Sequence, residues 1–172
     1  MPRNIEIKAR MKDRVAVEAR LAELQLTCDQ VIQQHDTFYH STQGRLKLRR
    51  FADNSAELIY YERDDKSDAK ESFYLQTRTQ DVENLHASLN LANGVRGEVK
   101  KVRHLYLHGR TRIHLDKVEG LGDYLELEVV MRDDEDNDIG VREANDLLQH
   151  LGIPKTDCQD CAYVDLLTME SS

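Results

Sequence analysis

The 172-residue chain has no tryptophan, only two prolines and three cysteines, and 6% aromatic residues. Few cysteines in an odd number argue against a disulfide framework and for a reducing compartment. Cys158 and Cys161 form a CxxC, but no second pair completes a zinc site, so they read as unpaired thiols. No apolar run reaches membrane-spanning length and no basic–apolar–small pattern opens the chain, so the sequence reads as cytoplasmic, with no membrane partner. A formal net charge of −8 argues against a nucleic-acid surface, although a local basic site can hide within that average. Without repeats, linkers or low-complexity stretches, residues 1–172 read as one domain, with 40% hydrophobic residues to build its core.

What is present is alternation. Residues 4–10, NIEIKAR, set Asn4, Glu6 and Lys8 on one face of a strand and Ile5, Ile7 and Ala9 on the other. Further strands are predicted at Val31–Tyr39, Arg45–Phe51, Glu57–Arg63, Glu71–Thr77, Val99–Leu107, Arg110–Leu115 and Tyr124–Met131. Asp13 caps a helix carrying Val17, Leu21 and Leu24, and a second helix with Val82, Leu85 and Leu89 follows Asp81. A last helix spans about Val141–Leu151. The segment Asp64–Ala69 reads as a polar loop and the acidic run Asp133–Asp138 as a solvated one. The fold class is α+β: an eight-stranded antiparallel barrel or strongly curved sheet with flanking helices.

The same parity groups charge on further strands. Arg45, Lys47 and Arg49 share a face, as do Lys101 and Arg103, then Arg112, His114 and Asp116, then Glu126 and Glu128. An open sheet with a solvated charged face fits this periodicity. A barrel turned inside out fits it too, with charge in the lumen and helices over its apolar exterior. Separation of the bases from Glu126 and Glu128 favours the second, because a solvated face usually mixes signs across strands. Such a lumen suits a polyanion held by bases at one end and by carboxylate-bound Mg²⁺ or Mn²⁺ at the other, and a triphosphate is the implied ligand.

The stretches "IEIKAR", "RLKLRR" and "TRIHLDKVEGLGDYLELEV" resemble the CYTH group of triphosphate tunnel metalloenzymes. "HDTFYH", "ELIYYERDD" and "YVDLL" are most similar to its class IV adenylyl cyclases. The resemblance implies a charged tunnel, an Mg²⁺ or Mn²⁺ cofactor, and ATP, tripolyphosphate or thiamine triphosphate as substrate. It implies Glu6, Asp116, Glu126 and Glu128 as metal ligands. Lys8, Arg45, Lys47, Arg49, Lys101, Arg103 and Arg112 become phosphate binders, with Lys8, Arg49, Arg103 and His114 catalytic. His114 reads either as a proton relay that also orients Asp116 or as a structural hydrogen-bonded group. Tyr163 reads as a tunnel closure or as core. The resemblance admits a homodimer. Two departures stand out: Asn4 replaces the first glutamate of the family's Glu-x-Glu-x-Lys, and Arg63 stands near a position where the family has lysine.

Overall fold

Alternation persists around eight strands, which close into an antiparallel barrel in the computed structural model, where residues 2–63 and 68–170 are described. They are β1 (Arg3–Arg10), β2 (Gln30–Tyr39), β3 (Arg45–Phe51), β4 (Ala56–Arg63), β5 (Lys70–Thr79), β6 (Val95–His108), β7 (Thr111–Val118) and β8 (Gly122–Met131). Around the barrel they run β1-β5-β4-β3-β2-β6-β7-β8, and β8 pairs back to β1. Closure leaves no long open edge. The helices are α1 (Arg14–Glu23), α2 (Val82–Asn93), α3 (Asn137–His150) and α4 (Tyr163–Glu170).

The apolar faces point outward and the helices cover them. Val17 and Leu21 of α1, with Leu147 and Leu148 of α3, share one buried cluster with Ile5, Ile113 and Leu125. Val82, Leu85 and Leu89 of α2 pack on Leu48 and Ala56. Each fully buried Leu or Ile contributes about 1.5–3 kcal/mol, so the cover itself holds the barrel in this orientation. Gly140 lets α3 approach closely, because a methyl group there would sit 2.5 Å from Met131 Sδ and 2.7 Å from Ile5 Cγ1.

Asp13 and Asp81 cap α1 and α2 through the amides of Ala16 and Asn84. Leu24 lies just past the end of α1 yet still packs on the core. The acidic run is not wholly loop. Asp136 accepts from the Asp138 amide and starts α3 at Asn137, four residues ahead of the expected Val141. Of the expected polar loop, residues 64–67 lie outside the described residues. The helix α4 is an addition to the expected elements. It packs Ala162, Tyr163 and Val164 against Phe38, Val99 and Tyr124 at one end of the tunnel. Among the described residues no helix is long and apolar enough to cross a membrane.

Candidate active site

Because inward positions alternate with helix-covered ones, the charged faces of β1, β3, β6, β7 and β8 converge on the lumen. A cavity of about 710 Å³, counting its opening to solvent, is lined by Lys47, Arg49, Arg103, Glu126 and Glu128 together with Asn4, Glu6 and Lys8. The question raised by the first strand is thereby answered: its charged face is the wall of a polar interior.

Sign is not segregated along that wall. Strand register sets Lys8 opposite Glu126, Arg112 opposite Glu128 and Arg103 opposite Asp116, and ion pairs form between neighbouring strands. Lys8 Nζ lies 3.4 Å from Glu126, and Arg112 lies 2.8 Å from Glu128. The expected clustering of bases away from acids holds along single strands and fails between neighbours, since pairing mixes what sequence order separates.

Asp36, which sequence reasoning missed, organises the basic side. It is 1% exposed and accepts from Arg49 Nε and NH2, both at 2.8 Å. Lys47 lies 3.1 Å from it and Lys101 3.6 Å. Burial alone would raise the Asp36 carboxyl, but Arg49, Lys47 and Lys101 outweigh it and hold the group well below the usual carboxylate range. Burial lowers Lys47, lowers Lys101 further, and brings Lys8 down to about 8 despite Glu126. Lys8 sits 4.0 Å above the Tyr163 ring, and Lys47 lies 5.2 Å from the Tyr61 ring centre. The aromatic groups at this end therefore steady lysine heads.

Two expected residues take other positions. Asp116 is wholly buried, and Arg103 Nε and NH2 each donate to it at 2.7 Å. The Tyr163 hydroxyl donates to Asp116 as well, at 2.8 Å, so both carboxylate oxygens are engaged. Its place is behind Arg103 rather than among the lumen-lining carboxylates. Arg45 does not line this cavity, and its guanidinium lies 3.1 Å from Asp165 on α4. Tyr163 lines the lumen and also packs in a buried cluster.

The acidic side is different in kind. Register places Glu6 directly opposite Glu128, a like-charge pair that is unfavourable by itself. Burial, then Glu128 and Glu126, push the Glu6 carboxyl up to about 7 against the pull of Arg63 and Lys8. Glu126 and Glu128 are themselves held low. Burial opposes this, but Lys8 and Arg103 prevail at Glu126, as do His114, Arg112 and Arg103 at Glu128. His114, Glu126 and Glu128 offer ligand atoms within 4.8 Å of one another. The His114 Nδ1 is buried without a hydrogen-bond partner, 3.9 Å from each carboxylate. Carboxylates repelling one another beside an unmet imidazole nitrogen are a donor set that fits a small divalent cation. Asn4, 2% exposed, lines the same wall, and with its amide turned to satisfy both neighbours it accepts from Arg112 at 3.2 Å.

A family model described as the CYTH domain matches residues 2–160. The chain belongs to the CYTH family. Solved structures show the same tunnel fold. The PH1012 protein of Pyrococcus horikoshii is 24% identical with a TM-score of 0.85, covering 95% of this chain and 99% of that one. A Vibrio parahaemolyticus protein, provisionally named an adenylate cyclase, is 21% identical with a TM-score of 0.74, covering 96% and 97%. HpAC1 from Hippeastrum, provisionally named an adenylyl cyclase and described as having a dominant triphosphatase activity, is 14% identical with a TM-score of 0.66, covering 99% and 96%. No curated protein matches the sequence. As a CYTH chain it departs from the family's opening Glu-x-Glu-x-Lys at Asn4 alone, since Glu6 and Lys8 both stand in the lumen. Arg63, near the family's lysine position, lines the lumen 3.9 Å from Glu6.

Proposed function

We propose that this CYTH chain is a metal-dependent enzyme that holds a triphosphate in its tunnel, with conversion of ATP to cyclic AMP and pyrophosphate as its reaction. The observation that carries the reading is the juxtaposition in one lumen of buried cations and a repelling carboxylate set. Arg49 and Arg103 each spend Nε and NH2 on a buried aspartate. That grip orients the fork, and the remaining donors are left for phosphate oxygens. Lys47, Lys101 and Lys8 add mobile charges whose mutual repulsion an anion relieves. Glu126 and Glu128, with Glu6, would hold Mg²⁺ or Mn²⁺. A cation bound there neutralises charge on the attacking and departing oxygens.

Cyclisation needs the ribose 3′-hydroxyl in line with the bond from the α-phosphorus to the departing pyrophosphate, and positioning plus electrostatics supply most of the catalysis. His114 stands beside both glutamates, and in this reading it orients them or relays the hydroxyl proton. Hydrolysis in the same tunnel is the second reading, favoured by the triphosphatase activity ascribed to the similarly folded Hippeastrum protein. The test incubates pure protein with ATP, tripolyphosphate and thiamine triphosphate, each with Mg²⁺ or Mn²⁺. Cyclic AMP with pyrophosphate is the expected result. Orthophosphate without cyclic nucleotide moves the assignment to a hydrolase, and binding without any product makes the chain a triphosphate binder.

A further inference from the structure

Charge in the lumen explains how phosphates are held but says nothing of the organic end of a substrate. A second cavity, about 1420 Å³ counting its opening, adjoins the first and shares Arg49, Arg103, Arg112 and Glu128 with it. No residue of α4 contributes to its wall, whose outer part is amide-rich, with Gln30, Gln34 and Gln80. Gln34 stands directly opposite Phe51 across the β2–β3 pair. It is only 6% exposed, yet its side-chain oxygen has no hydrogen-bond partner. A buried unmet acceptor is unfavourable by itself, and the residue that carries it lines this cavity together with Phe51. Aromatic residues at the α4 end lie under lysine heads instead.

We propose that this mouth binds the adenine base of a nucleoside triphosphate, with Phe51 stacking on its face and Gln34 reading its edge. This rests on the reading that the tunnel holds the triphosphate. The Gln34 amide turns about its soft last torsion, accepting from the exocyclic amine and donating to the adjacent ring nitrogen, the pairing by which glutamine reads adenine. Guanine presents two acceptors on that edge, so the amide oxygen meets another oxygen and guanine is disfavoured. Inorganic tripolyphosphate leaves the mouth empty.

The test measures equilibrium binding, in Mg²⁺, of ATP and GTP analogues whose two phosphate bridges are methylene groups, beside tripolyphosphate with the same bridges. The adenine analogue should bind roughly tenfold to a hundredfold more tightly than the guanine one. Gln34→Leu should bring that ratio close to one, and its thermal melt reports folding. Phe51→Leu, a second variant, should weaken both nucleotides relative to tripolyphosphate by at least about fivefold. Should the bridged tripolyphosphate bind while neither variant alters any ratio, the adenine mouth is overturned and the triphosphate tunnel stands. Should tripolyphosphate itself fail to bind, the tunnel reading falls and the adenine mouth falls with it.

Discussion

Asp36 and Glu6 are both carboxylates on the lumen wall of one barrel, and their circumstances are opposite. Asp36 has three cations within 3.6 Å and is held well below its ordinary range. Glu6 faces Glu128 across the strand pair and rises to about 7. The first acid is satisfied by the protein alone and serves as the keystone of the basic side. The second stands among carboxylates that repel it, and repulsion between clustered carboxylates is what a divalent cation relieves. Local charge balance therefore separates a carboxylate that holds the tunnel together from those proposed to hold its ligand.

The largest effect should come from attacking the keystone. Asp36→Asn leaves Lys47, Arg49 and Lys101 buried without their counter-charge, and should destabilise the protein by about 3–5 kcal/mol, read by denaturant unfolding. Glu6→Gln should do the reverse in metal-free protein. The Glu6 carboxyl is raised from 4.5 to about 7, so its stabilising contribution is full below pH 4.5 and is lost as pH rises through 7. Chelated protein should therefore lose about 2–3 kcal/mol across that window, and Glu6→Gln should flatten the loss. A pH-independent melt of the chelated wild type would erase the distinction between the two acids.

Smaller changes sharpen it. Glu128→Gln removes a candidate ligand and should cut turnover at least about 100-fold while raising the Mg²⁺ or Mn²⁺ concentration needed for half-maximal activity. Asn4→Glu adds charge beside Glu6 and should lower that metal requirement several-fold, with substrate affinity at saturating metal little changed. Unchanged metal dependence in Asn4→Glu would place position 4 with Arg112 rather than with the metal.

Much of this contrast is absent from the sequence for a physical reason. Parity along β1, β3 and β8 is clean, because helices cover one face with apolar side chains and the lumen collects the other. Strand β2 carries no such pattern. Its inward Gln34, Asp36 and Phe38 alternate with the outward His35 and Thr37, so Asp36 did not announce itself. Pairing of the first strand with the last comes from closing the barrel and makes Glu6 a neighbour of Glu128, while the β6–β7 hairpin sets Asp116 opposite Arg103. The helix α4 has eight residues, too short to stand by propensity, and forms where Tyr163 and Val164 bury against the barrel mouth.

The central claim is that the clustered acids of the lumen hold a divalent cation beside a triphosphate. Anomalous X-ray scattering from crystals grown with Mn²⁺ and tripolyphosphate tests this most directly. The account predicts an Mn²⁺ peak against Glu126 and Glu128 within the tunnel, with phosphate density reaching Lys47, Arg49 and Arg103. Mn²⁺ confined to the exterior, on the acidic run Asp133–Asp138, with an empty lumen would contradict it.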